Sequence, residues 1–203
     1  MAFIDTIKPS DSEGEVRAMF VRQQESWGFV PNYAKVFCHR PEVMARWARL
    51  LAEVRRPMDD RLFELATFAA AHQLRNSPCT LEHGKQLGRF IGPEAVVALS
   101  RRESHPALSE ADCAIAEYAR KIADDASAVT AADVSRLKAH GLGDDEIFDI
   151  AAAAAGRAFF TKLLDGLGVQ ADSAASELDD EFRAPLTVGR PISGDNPEYV
   201  DRG

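Results

Sequence analysis

The stretch Leu62-Phe63-Glu64-Leu65-Ala66-Thr67-Phe68-Ala69-Ala70-Ala71-His72-Gln73-Leu74 is apolar on nearly every face, and Glu64 is its only formally charged residue. A helix of that kind has no solvated side and has to be enclosed by other elements. Burying a carboxylate alone is costly, so Glu64 is expected to be protonated, or paired with a histidine or a water network. His83 and His72 are the candidate partners. The alternative is a carboxyl that reaches solvent at the end of its helix.

The elements around this helix read as helices too. Ser10-Asp11-Ser12-Glu13 has the form of a capping box, Val16, Met19 and Phe20 follow at helical spacing, and Gly28 stops the segment. Pro31 opens a short helix to about His39. Pro41 opens another, on which Val43, Trp47, Leu50, Leu51 and Val54 form one stripe before Pro57. The enclosed helix runs from about Asp60 to Arg75, the next from Ser77 to Phe90, and Gly92-Pro93 begins a short one through Leu99. Ser109 and Thr130 cap two more, and Asp144 or Asp145 begins a long one to Leu167. Shifted by about 51 residues, Gly92-Pro93 falls on Gly143-Asp144 and Ser77 to Cys79 falls near Thr130, which suggests a degenerate two-copy helical repeat. No alternating apolar pattern of useful length occurs. The fold class is therefore all-α.

Within this frame, Asn76-Ser77-Pro78-Cys79-Thr80-Leu81-Glu82-His83 carries the best clue to chemistry. Ser77 reads as an N-cap and Pro78 as the first helical residue, which puts Cys79 in the first turn. The unpaired N–H groups and the positive end of the helix dipole favour a thiolate there. His83, four residues on, projects from the same face and is placed to exchange a proton with Cys79. Cys79, His83, Leu87 and Phe90 also form a helical stripe, so both polar members are equally consistent with core positions. Cys38 and Cys113 sit at ordinary apolar helix positions without such a context and are read as inert core. The three cysteines are widely spaced with no CxxC pair, so neither a disulfide framework nor a cysteine zinc site is supported. A metal site from Glu64, His72 and His83 lacks diagnostic spacing, and no metal or cofactor is expected.

The 203 residues carry a net charge of −8, with acidic and basic residues interspersed and no Lys/Arg stripe, which argues against nucleic acid or anionic membrane as partners. The longest small-residue run, Ile150 to Gly156, is too short and alanine-rich to span a bilayer, and no secretory-type N-terminal segment is present; a cytoplasmic protein is expected. Residues 1–172 read as one domain. From 173 to 203 the chain turns polar, acidic and proline-bearing. That segment is either a disordered tail or an extended arm, and Phe182, Leu186, Val188, Ile192 and Tyr199 are apolar anchors that favour an arm clasping another subunit of a homo-oligomer.

Gly28-Phe29-Val30-Pro31-Asn32, the alanine-rich Glu64 helix running into Pro78-Cys79-Thr80-Leu81-Glu82-His83, and the block from Ala116 to Leu167 together resemble the carboxymuconolactone decarboxylase and alkylhydroperoxidase D superfamily over about residues 28 to 169. The resemblance implies a helical bundle built around a helical hairpin, assembled as an oligomer. In the peroxidase branch a glutamate is followed twelve residues later by CxxC and then by a histidine; Glu64, Cys79 and His83 match in type and spacing, and Asn76 stands where the first cysteine belongs. The resemblance further implies a thiol-dependent hydroperoxide reductase acting on a small-molecule substrate, with Cys79 served by a Glu64/His83 relay. Its sulfenic acid must be resolved by an external thiol reductant or another subunit. The decarboxylase branch, in which the histidine transfers a proton on a lactone carboxylate and the cysteines are dispensable, is the alternative. In a third reading, a non-catalytic oligomeric binding protein, the trio is only a buried polar cluster.

Overall fold

The computed structural model describes residues 2–200. The described residues contain ten α-helices and no strands: α1 (Gly14–Trp27), α2 (Asn32–Val36), α3 (Pro41–Arg55), α4 (Asp60–Gln73), α5 (Ser77–Ile91), α6 (Pro93–Arg101), α7 (Glu110–Asp125), α8 (Ala131–Ala139), α9 (Asp144–Gly166) and α10 (Asp180–Leu186). The start signals do their work locally. The Asp59 carboxylate accepts from the Leu62 N–H at 3.1 Å to cap α4, Ser109 and Asp112 form a reciprocal capping box on α7, and at the start of α8 the Asp133 carboxylate accepts from the Thr130 N–H at 2.8 Å. Gly28 ends α1 in the left-handed region at φ 83°, where a side chain would be strained. At the N-terminus of α1 the expected capping box does not form. The Ser12 hydroxyl instead donates back to the Pro9 carbonyl at 2.7 Å, closing a 3-10 turn over Pro9–Asp11, and α1 starts without a side-chain cap.

Helix α4 is the enclosed element. Phe63 through Ala71 are all buried, and α4 packs against α5, α7 and α9. Its alanines let those three neighbours approach closely, while Phe63 and Phe68 supply the bulk; truncating either would cost about 3–5 kcal/mol. One core cluster surrounds α4. A second gathers Met19, Phe20, Phe37, Trp47, Cys79, Phe160 and Leu164 between α1, α3, α5 and α9. Gly156 admits Trp47 to that cluster, since a Cβ there would stand 3.2 Å from the indole ring. Helices α4, α5 and α6 begin about 50 residues before α7, α8 and α9, as the shifted pattern suggests, but lengths diverge: α5 has 15 residues against 9 in α8.

Beyond α9 the chain folds back over its own body rather than standing free. Ser173–Glu177 form a 3-10 turn, α10 inserts Leu186 into the α4 core, and the following residues run as a strap. The Ser193 N–H donates to the Ala171 carbonyl at 2.8 Å, the Val30 N–H to the Glu198 carbonyl at 2.9 Å, and Lys35 pairs with Glu198 at 2.5 Å. Leu186 is fully buried, and Phe182 and Ile192 pack on the same core, so these three anchors are covered by this chain itself, whereas Tyr199 is 54% exposed. Val188 is half-buried, with its carbonyl accepting from Arg75 at 3.1 Å. Of the tail expected over 173–203, residues 201–203 lie outside the described residues. Among the described residues no helix is long and apolar enough to cross a membrane.

Candidate active site

The turn between α4 and α5 fixes the cysteine. Asn76, not Ser77, is the N-cap: its Oδ1 accepts from the Cys79 N–H at 3.0 Å. The Ser77 hydroxyl is engaged elsewhere, accepting from the Gly189 N–H of the strap at 2.9 Å. Asparagine and serine are comparable caps, and local sequence alone does not choose between them. Asn76 thus has a structural task, and the N–H of Cys79 is no longer an orphan.

Cys79 is 5% exposed. Burial pushes its thiol up, and the Arg157 guanidinium opposes this, with Nη1 donating to Sγ at 3.6 Å. Asp165 and Glu82 add to the upward push. The expected depression of the thiol by the helix start is therefore reversed in the resting protein, because removing the anion from water outweighs a dipole whose nearest N–H is already spent. Cys38 lies in the second core, whereas Cys113 is half-buried and lines a surface cavity, so it is not the core position expected.

His83 and Glu64 meet across the α4–α5 hairpin, with Nδ1 and Oε2 2.6 Å apart. Glu64 is 3% exposed, and this resolves its choice of partner: His72 lies elsewhere on α4, beside Phe68. Burial, then Arg157, holds the His83 imidazole below its usual range, against the pull of Glu64. A neutral ring beside a carboxylate donates from Nδ1–H to Oε2 and leaves the Nε2 lone pair free. Phe63 packs edge-on to the ring at 6.4 Å, and Arg55 reaches Glu64 Oε1 only at 3.9 Å, being bound at 2.8 Å to Asp60. No hydrogen bond joins Cys79 to His83 among the described residues; one turn of α5 places them on one face.

Arg157 belongs to no motif and escapes a reading by spacing. Its signal is nevertheless the one that marks Glu64: Arg157 is the only charged residue between Asp149 and Lys162. It is 4% exposed, its guanidinium lies 5.5 Å from the Phe160 ring centre, and Phe160 stacks on Trp47 at 5.7 Å and Phe37 at 6.0 Å. Tyr33 meets Phe160 edge-on at 5.5 Å and hydrogen-bonds Gln23, and burial pushes its phenol well up. Among the described residues no group of metal-ligating side chains is gathered as a cation site. Two surface cavities, of about 470 and 810 Å³, lie on α6, α7, α8 and α10, and none of Glu64, Cys79, His83 or Arg157 lines them.

No family model matches the sequence, and no curated protein matches it. Solved structures do. An alkylhydroperoxidase AhpD core, an uncharacterized peroxidase-related protein from Ralstonia eutropha JMP134, superposes with TM-score 0.69 at 19% identity over 93% of this chain and 98% of that one. A peroxidase-related protein from Silicibacter sp. TM1040 gives 0.71 at 17% identity, over 91% of this chain and 95% of that one. The debrominase Bmp8, as a cysteine-to-alanine variant in complex with 2,3,4-tribromopyrrole, gives 0.70 at 14% identity, over 92% of this chain and 98% of that one. The chain has the all-α alkylhydroperoxidase D-like fold.

Proposed function

We propose that this chain is a thiol-dependent hydroperoxide reductase in which Cys79 is the nucleophile and the Glu64–His83 pair moves the proton. The observation that carries the reading is the 2.6 Å Glu64–His83 contact, which holds Nδ1 on the carboxyl and leaves Nε2 as the free ring nitrogen one helical turn from a buried thiol. A cysteine with a raised pKa is weak by itself and needs an adjacent base. His83 Nε2 takes the Sγ proton as the sulfur attacks the distal oxygen of the hydroperoxide. An S–O bond forms, the O–O bond breaks, and the departing alkoxide receives the proton from His83. Cys79 is left as a sulfenic acid. With Asn76 in the neighbouring position, an external thiol condenses with it, releasing water, and a second thiol reduces the mixed disulfide to give back Cys79.

Loss of an organic hydroperoxide in the presence of dithiothreitol, with dimedone trapping of Cys79, tests this. Wild type should consume the peroxide and form the adduct, and Cys79→Ser should do neither. If Cys79→Ser keeps turning over a candidate lactone carboxylate while His83→Ala does not, the site is an acid–base decarboxylase instead. The fold likeness to a debrominase makes a halogenated pyrrole the second substrate class to assay against the same variants.

A further inference from the structure

We propose that Arg157 is a catalytic residue of this site, the counter-cation of the Cys79 thiolate. Through its Nε edge it is also the donor to the oxyanion that leaves when the peroxide bond breaks. A guanidinium stays charged at every working pH, and a buried charge needs an anion near it. Among the described residues Arg157 makes no ion pair with any carboxylate. Its Nη1 donates to Sγ at 3.6 Å and its Nε is buried with no hydrogen-bond partner. The Phe160 ring supplies partial compensation, and the stack of Phe160 on Trp47 and Phe37 fixes the plane of the fork. A cation held this rigidly at a thiol, with one donor edge unclaimed, is preorganised for negative charge that appears only during reaction.

The groups facing Cys79 leave this task to Arg157. Asp165 from α9 and Glu82 from α5 oppose a thiolate, the Tyr33 phenol of α2 is protonated, and His83 is neutral. Arg157 is the cation that opposes this push in the resting site, and His83 adds a second positive charge only after it has taken the proton. The leaving-oxyanion part rests on the hydroperoxide reading; the thiolate part does not.

The test is the pH dependence of Cys79 alkylation by iodoacetamide, followed by mass spectrometry on the full chain, for wild type, Arg157→Met and Arg157→Lys. Arg157→Met should raise the midpoint and slow labelling at neutral pH by about ten- to thousandfold, the range set by losing an opposite charge at contact distance. Arg157→Lys keeps the charge without the fork and should recover part of the shift. If the methionine variant does not fold, Arg157→Gln, which also removes the charge, keeps the test decisive, since an unmoved midpoint and rate in it would refute the proposal. Unchanged midpoint and rate in Arg157→Met overturn it outright. Alkylation consumes no peroxide, so peroxide consumption that survives in Cys79→Ser would sink the reductase reading while leaving this profile to stand or fall on its own.

Discussion

Arg120 and Arg157 are equally buried, at 4% exposure each, yet their surroundings differ in every polar contact. Arg120, on α7, donates to Glu117 at 2.6 Å and to the Leu99 carbonyl at 2.7 Å, tying α6 to α7. Nearby, Asp112 takes Arg61 at 2.7 Å and the Ser109 N–H at 2.8 Å; burial lifts its carboxyl, and these hydrogen bonds outweigh that and hold it below the usual range. Arg157, on α9, has a thiol, an aromatic face and a bare Nε. Buried charge that is fully satisfied belongs to the architecture. Buried charge left short of partners costs stability and persists where chemistry uses it.

That contrast is broken most directly by truncating each arginine. Arg120→Met should lose about 2–3 kcal/mol in urea denaturation, because the buried charge-assisted hydrogen bonds to the Leu99 carbonyl and to Glu117 are both removed. Arg157→Met should stay within about 1 kcal/mol of wild type, since an apolar chain replaces an uncompensated ion. Equal losses would make Arg157 another structural ion. The carboxylates sharpen the same division. Glu64→Gln should lower kcat/KM about 10- to 100-fold with stability little changed, as the anion that orients His83 becomes a neutral amide; Asp112→Asn should do the reverse, losing stability with turnover intact.

The strap tests whether the under-satisfied side is held from outside. A Cβ on Gly189 would collide with the Arg75 carbonyl oxygen, so Gly189→Ala should cost about 1–2 kcal/mol and free the Ser77 hydroxyl. Faster iodoacetamide labelling of Cys79 in that variant would mark the strap as its cover. The smallest effect belongs to His72, held near pKa 4 by burial and by Arg120 and Arg102. Its folded pKa lies below the ordinary value of 6.5, so the stability it contributes is complete above about pH 6.5 and is lost as pH falls toward 4. His72→Gln should flatten that acid-side decline by less than about 1 kcal/mol, read as thermal midpoints at pH 7 and 5, because the ring is partly exposed.

Much of this was legible along the chain. An apolar run with one carboxylate announced α4 and its buried Glu64, and the same rule applied from Ile150 to Thr161 picks out Arg157. Ser77 against Asn76 as N-cap was not legible, because the decision came from Gly189, 112 residues away, which claims the Ser77 hydroxyl. The strap anchors were visible as apolar residues but not as ligands of this chain's own core, since an apolar side chain carries no address.

Periodic and local features are written in the chain itself: helices without sheet, α4 enclosed, Cys79 and His83 on one face of α5. They follow from a 3.6-residue repeat and from caps within three residues of the helix they start. Packing between helices chose which histidine Glu64 meets, 19 residues away, and which cation reaches Cys79, 78 residues away. It also set the sign of the thiol's pKa shift. That sign is a balance of desolvation against one guanidinium, and both contributions exist only once α5 and α9 have packed.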